Sequence, residues 1–414
     1  MCMKIAIVST YKIECGIARF SEILEKNLSV TDEVTVFELP RHELKLSFGA
    51  TKEGSDRFIE TLCEQLKSFD AVSVQCEYSL FSDDIRVSVE RIKKILSSNK
   101  NSTLTLHTVI NRSTSADTDM PSLFRWMTSP KSAFKTLLHS LRSTRSAKAE
   151  LHLFEFVKKN NIKIIVHTET TKEILSQRFR LSNVHCHPLC YTSESEKNQY
   201  VYEECRQELL DKLVLDKDVK LIGVFGFFGH YKGFDYAIQC IDRMPRNYKL
   251  LIFSGLHPNL IKNSDSSQIE YLLSMAKKLK VLDRVFFMGS VDDRSLYRAV
   301  AGVDCSWLPY REVGQEASAI CSEVSELSKR VIVSRNFAFI DYMKFGLRKQ
   351  YQFFEIGNIE ELKLKTVFYD RFFPEPSRSD GVVNHAELQA AFYKKVVEYV
   401  PAGIAQHQAN AKVA

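Results

Sequence analysis

Ten cysteines are spread over this 414-residue chain, and no two of them stand as a CxxC pair. That spacing suits reduced, mostly buried thiols rather than a disulfide framework or a zinc site. No apolar run approaches the roughly 20 residues a membrane-crossing helix needs. The start, MCMKIAIVSTYKIECG, turns polar too early for a secretory signal, so a cytoplasmic protein is expected. Charge of one sign is scarce as an excess: 57 Lys and Arg against 51 Asp and Glu leave +6, which is no nucleic-acid signature by itself. A GxGxxG between strand and helix is missing, which argues against an enzyme with two nicotinamide-type domains. Internal repeats and low-complexity segments are absent as well.

What is present is alternation. Short β-rich runs, KIAIVS (4–9), EVTVFEL (33–39), AVSVQCE (71–77), TLTLHTV (103–109) and KIIVHT (163–168), are separated by helical patterns such as ARFSEILEKNL and SVERIKKILSS. A second series, KLIGVFGFF (220–228), KLLIFSG (249–255), RVFFMGS (284–290), CSWLPY (305–310), RVIVS (330–334) and YQFFEIG (351–357), follows a charged helical stretch. Strands alternating with helices predict parallel sheets covered on both faces. At this length one core is too few. The expectation is α/β: two doubly wound, Rossmann-like domains with a boundary near residue 205, facing a central cleft where ligands meet the carboxyl ends of the strands.

Between Arg112 and Lys148 lie Arg125, Lys131, Lys135, Arg142 and Arg145 among Phe124, Trp126, Met127 and several leucines, with only Asp117 and Asp119 against them. Such a stretch suits either contact with an anionic membrane surface or a solvated helical insertion packed on its own domain. The segment HCHPLC (185–190) reads as packing at a strand end, with a metal cluster as the lesser alternative.

Three strand ends of the first domain carry polar groups that point to a cleft: Gly16 after the first strand, Glu77, and His107. Gly16, at a helix start, permits close approach of a ligand to backbone. A histidine after an apolar strand is as readily a structural residue as a functional one. In the second domain Gly226, Gly229 and Gly233 bracket a loop ending in Lys232, which serves either as a point charge for a phosphate or as a surface lysine ahead of a helix. Arg311 and Lys329 are further cations without an assigned role. Over QEASAICSEVSELSKRVIVS (315–334), 100° per residue puts Ala317, Ile320, Cys321, Val324 and Leu327 on one apolar stripe. Glu326 then points to solvent and Glu323 toward a crevice. The strand, the Gly314 loop and the helix start together offer unpaired N–H groups to an anion.

In order, MKIAIVSTYKIECGIARFSE, VSVQCEYSLF, TLHTVI, GVFGFFGHYKGFDYAIQ, HPN (257–259), RVFFMGSVDDRSLYRAVAGVDCSWLPY and the 315–334 stretch resemble the sequence blocks of GT-B glycosyltransferases of family 4. The likeness covers nearly the whole chain and is weakest across the basic insertion. It implies a retaining, metal-independent transfer of a sugar from a nucleotide-sugar donor to a glycan or lipid-linked acceptor, with no cofactor. It also implies an acceptor-side domain over 1–205 with an insertion at about 111–150, a donor domain over 206–385, and a closing helix and tail over 386–414 that cross back to the first. By the same resemblance Lys232 contacts the donor diphosphate, Glu323 is the second glutamate of the E-x7-E motif and holds the ribose, and His107 lies beside the transferred sugar. Gly16 and Gly229 line donor-facing loops, and Ser318 with Gly314 cradles the phosphates. Glu77 and Tyr78 fall on the acceptor side. Two departures stand out. Gln315 occupies the place of the first motif glutamate, and the arginine that often precedes the lysine is replaced near Phe227. A glutamine can hydrogen-bond a hydroxyl but cannot offset positive charge. These departures motivate an alternative, a catalytically silent GT-B-like binding protein.

Overall fold

The computed structural model describes residues 2–13, 15–45, 50–110, 130–255, 266–312, 317–344, 351–369 and 386–398. It divides into two compact units, one running to His187 and resuming at Glu387, the other spanning Pro188–Ala386. The first sheet contains β1 (Lys4–Ser9), β2 (Glu33–Glu38), β3 (Ala71–Cys76), β4 (Ser102–Leu106), β5 (Lys163–Val166) and β6 (Val184–Cys186) in the order β2-β1-β3-β4-β5-β6. The second contains β7 (Lys220–Phe225), β8 (Tyr248–Phe253), β9 (Val285–Phe287), β10 (Cys305–Leu308), β11 (Val331–Ser334) and β12 (Tyr351–Phe354) in the order β12-β11-β10-β7-β8-β9. Every neighbouring pair is parallel. Both are doubly wound sheets as the alternation predicts.

Burial explains why the strands read as continuous apolar runs. Ile222 and Val224 of β7 join a core with Ile238 and Leu250, while Leu221 and Phe225 join a separate core with Leu251 and Val331 on the other face. Successive side chains of a strand alternate faces, so a sheet covered on both sides needs apolar residues at every position. Most strands stop short of the predicted runs at their carboxyl ends: the run 103–109 gives only Ser102–Leu106. Beyond the last ladder bond the chain turns out into loops that carry polar residues such as Glu77, His107 and His167 beside apolar ones such as Val109 and Phe228.

The division after His187 replaces the boundary expected near 205. The cause is contacts made by residues 188–213. The Leu189 carbonyl accepts from Ser322 Oγ at 2.7 Å. The helix Tyr202–Leu213 packs on the helix Asp293–Gly302 so closely that a Cβ on Gly302 would lie 2.6 Å from the Cys205 backbone. The last helix, Ala386–Glu398, lies against the first sheet: Tyr393 OH is 3.2 Å from Thr105 Oγ1, and Lys394 Nζ is 2.7 Å from Asp32.

Of the basic insertion, residues 111–129 lie outside the described residues, and 130–159 form one helix, Pro130–Lys159. Its Glu150 is buried and accepts from Tyr78 OH at 2.9 Å and from Ile110 N at 2.8 Å. Among the described residues no helix is long and apolar enough to cross a membrane.

Candidate functional site

In the second unit, strand β7 is followed by Gly226 at φ +110, and the chain turns through a short 3₁₀ helix, His230–Lys232. Gly233, at φ +69, starts the helix Phe234–Asp242. Lys232 is only 7% exposed. Its Nζ donates to Tyr310 OH and stands 4.2 Å from the centre of the Tyr310 ring. Tyr310 follows β10 through Pro309, is 1% exposed, and its hydroxyl lies 3.2 Å from Ser318 Oγ. Ser318 caps the helix Ala319–Leu327 by accepting from Cys321 N at 3.2 Å. The carboxyl ends of two strands and a helix start thus meet around one amine. A side chain on Gly226 would sit 3.5 Å from Lys232 Nζ and 3.3 Å from Ile320. Glycine keeps that approach open.

Burial pushes the Lys232 ammonium down to about 7, with Cys321, Glu323 and Glu312 pulling weakly the other way. Burial likewise raises the Tyr310 phenol well above its ordinary value, so it stays protonated. Glu323 is buried at 2% exposure and lies near enough to act on both groups. Gly229 is half-buried at the start of the same turn. The structure therefore brings Gly229, Lys232, Ser318 and Glu323 together, while Gly314 and Gln315 lie outside the described residues. Arg311 and Lys329 are engaged elsewhere: Arg311 pairs with Asp235 and stacks 4.0 Å over Tyr236, and Lys329 sits 4.1 Å over Tyr202.

Glu326 is not solvated. It is 3% exposed and accepts from Thr192 Oγ1, from Cys190 Sγ at 3.1 Å and from Tyr342 OH at 3.4 Å, with Lys197 at 3.8 Å. Burial raises its carboxyl, countered in part by Lys197 and the Thr192 hydroxyl. Helical periodicity identified the polar side of this helix, but residues 189–197 cover that side. The same packing explains the small polar run, since Ser322 is used on the Leu189 carbonyl.

In the first unit the carboxyl ends of β4 and β5 place His107 and His167 with ring centres 4.9 Å apart, and Phe20 edge-on to His107 at 5.3 Å. The Gln75 carbonyl oxygen accepts from His107 Nε2 at 3.0 Å, so that nitrogen carries the proton and Nδ1 keeps its lone pair. Burial, then the neighbouring His167, hold His107 well below the usual histidine range. His167 donates Nδ1–H to the His187 carbonyl at 3.0 Å, and burial brings it to about 4. Both imidazoles are neutral at pH 7. Gly16 is exposed, with open space where a Cβ would stand. Glu77 is half-buried and accepts from Thr108 Oγ1. Tyr78 does not present its hydroxyl to a ligand: the ring lies in the core, and the hydroxyl is held by Glu150. The HCHPLC residues diverge. The His187 ring packs on Phe392 and Cys190 faces Glu326, and among the described residues no three His, Cys, Asp or Glu side chains are gathered for a metal.

Tyr310, Gln75 and His167 were not picked out from the sequence. Tyr310 and His167 each stand just past a strand's carboxyl end, the signal that would have found them. Gln75 lies within a strand and is legible only through its tertiary partner.

No family model and no curated protein matches the sequence. Solved structures do match in shape. Anabaena HepE in complex with UDP superposes with a TM-score of 0.59 at 13% identity, over 99% of this chain and 100% of that one. The sucrose-phosphate synthase of Thermosynechococcus elongatus gives 0.61 at 13%, over 99% of both. A trehalose-phosphate synthase of Burkholderia xenovorans in complex with glucose-6-phosphate gives 0.60 at 12%, over 96% and 100%. The chain has the GT-B fold, the fold of glycosyltransferases. At these identities the likeness is one of fold.

Proposed function

We propose that the protein is a retaining, metal-independent glycosyltransferase that moves a sugar from a nucleotide-sugar donor to a glycan or lipid-linked acceptor. The observation that carries this reading is the buried Lys232 amine set against the Ser318 helix start at the carboxyl ends of β7 and β10. Loss of a nucleoside diphosphate develops negative charge on the leaving oxygens. An ammonium, a hydroxyl and helix-terminal N–H groups stabilise that charge best when fixed beforehand in a site shielded from water. Glu323, buried deeper in the same helix, takes the ribose hydroxyl on the resemblance's assignment. The neutral His107, with its Nδ1 lone pair, suits an uncharged sugar hydroxyl rather than an anion. The leaving phosphate itself can deprotonate the acceptor, so the reading needs no carboxylate base. That HepE and sucrose-phosphate synthase share the fold, and that HepE was solved with UDP, supports the donor class.

The test is calorimetric binding of UDP, GDP, ADP and their sugars in the presence of EDTA, to wild type and Glu323→Ala. One nucleotide should bind selectively and lose about tenfold or more in the variant, the scale of a lost charge-assisted hydrogen bond. Binding that needs a divalent cation, or none at all, would sink the reading. A second reading, a silent binding protein, is favoured by Gln315 and by the missing arginine, near whose place stand Gly229 and Phe227, the latter 45% exposed. Nucleotide binding without turnover against any acceptor would favour it. The basic insertion is proposed as a peripheral contact with anionic membrane. Co-sedimentation with phosphatidylglycerol vesicles should be lost when Lys131, Lys135, Arg142 and Arg145 are replaced by glutamine, and retention by the variant would discard that contact.

A further inference from the structure

The Lys232 amine, the Tyr310 hydroxyl and the Ser318 hydroxyl form a line of two hydrogen bonds. All three groups belong to the proposed donor site, yet Tyr310 has no assigned part in it. A buried amine with a neutral phenol as its hydrogen-bond partner is a poor resting place for a full positive charge. Among the described residues, the groups facing Nζ are Tyr310 and Tyr231, whose ring centre is 5.1 Å away, with Cys321, Glu323 and Glu312 beyond them, the two carboxylates raising the amine against burial. Burial raises the Cys321 thiol to about 12 and the Tyr231 phenol also goes up, so neither carries a counter-charge near neutrality.

We propose that Tyr310 is a positioning residue that holds the buried Lys232 amine by accepting its hydrogen bond, and that the arriving diphosphate takes over the amine together with a proton drawn from solvent. The balance is simple. One proton leaves bulk water or buffer, the amine becomes an ammonium, and the hydrogen bond from Nζ to the phenol is exchanged for one to a phosphate oxygen. No other bond forms or breaks. The Tyr310 hydroxyl remains with Ser318, which keeps the helix start in place beside the phosphate. Because burial holds the ligand-free amine at about 7, the fraction already charged falls tenfold for each pH unit above that point. Affinity must fall with it.

This inference rests on the donor-site reading, and the experiment separates the two. UDP-glucose, ADP-glucose and GDP-glucose are titrated calorimetrically at pH 6 to 9, each in two buffers of different ionisation enthalpy. Sugar nucleotides are used because their diphosphate diester carries no proton that titrates near neutrality. For the sugar nucleotide that binds, wild-type affinity should be flat below pH 7 and fall about tenfold per unit above it. Proton uptake should approach about one per site at the alkaline end. In Tyr310→Phe the ammonium loses the phenol oxygen that accepts from it, so the break should move to lower pH. Affinity should then fall about three- to tenfold at pH 8 while changing less than about twofold at pH 6. A merely structural tyrosine would weaken binding equally at every pH. Wild-type affinity that is flat from pH 6 to 9 without proton uptake overturns the proposal and leaves the donor site standing, as does an equal loss in Tyr310→Phe across the range. If none of the three sugar nucleotides binds, the donor-site reading fails and the proposal falls with it.

Discussion

Gly233→Ala is expected to destabilise the second unit by about 3 kcal/mol or more, from a left-handed backbone and a backbone clash acting together. Gly233 has φ +69, and an ideal Cβ there would lie 1.9 Å from the Pro309 carbonyl oxygen and 2.9 Å from its carbon. The obstacle is backbone, so no rotamer change relieves it. Pro309 is one residue before Tyr310, and any shift that makes room for the methyl moves the tyrosine away from Lys232. The control is Gly289→Ala. Gly289 has nearly the same conformation, φ +76, with nothing within 4 Å of the added carbon. It should cost only the backbone strain, about 1 kcal/mol. For a unit of this size the difference corresponds to about 4–8 °C in Tm. Urea unfolding followed by Trp307, buried in β10, in a Trp126→Phe background, reads the two variants side by side. Equal costs would mean that the turn and the β10 exit are not locked together.

Much of the architecture was legible because a parallel sheet writes itself into sequence. Eleven strands announced themselves as β-branched or aromatic runs, and their first residues fall within one position of the structure, as with 220 for Lys220–Phe225 and 284 for Val285–Phe287. Most of their ends did not. The runs 4–9 and 330–334 stop with the strands, but most others overshoot by one to three residues, because residues such as His107, His167 and Ser254 directly follow the strand ends and their types do not mark where pairing stops. The strand Val184–Cys186 was not set out as a run because three residues are too few to show a period; its end was read within HCHPLC as packing at a strand end.

The candidate site divides along the same line. Local signals mark Lys232 and Glu323, a glycine-bracketed turn and a residue at the edge of an apolar stripe, while Ser318 was named through the resemblance alone. Tyr78 and Glu326 were misread because their surroundings come from far along the chain. Tyr78 meets Glu150 from the helix Pro130–Lys159, and Glu326 meets Thr192 and Cys190. A polar residue next to a strand end looks the same in sequence whether it faces solvent, a ligand or another segment. Tyr310 was passed over for the converse reason, since an aromatic after Pro309 reads as packing until Lys232 and Ser318 are seen on its hydroxyl.

On the proposed donor-site reading, Lys232→Met should lower sugar transfer by about 10³-fold, the scale found when a fixed charge-stabilising donor is removed from an active site, and at the same time make the protein more stable. The two effects have one cause. Burial lowers the lysine from 10.5 to about 7, so folding must either desolvate an ammonium or strip its proton. Methionine has a similar reach without a charge and fills the same space against Tyr231 and Tyr310. The pH dependence fixes the sign. Between about 7 and 10.5 the unfolded chain binds a proton at this position that the folded one does not, so the contribution to wild-type stability rises with pH across that window. Below pH 7 both states are protonated and the full cost of the buried charge is present. The gain from Lys232→Met should therefore be largest below pH 7, on the order of a few kcal/mol, and shrink as the pH rises toward 10. Chemical unfolding of the two proteins at pH 6 and pH 9, beside transfer assays at pH 7, measures both effects. A variant that loses activity while gaining stability most at the acid end marks a group kept in place for function at a cost to the fold. A variant less stable than wild type at every pH would mean that the lysine's contacts with the two tyrosines hold the turn together, and its role in the donor site would have to be given up.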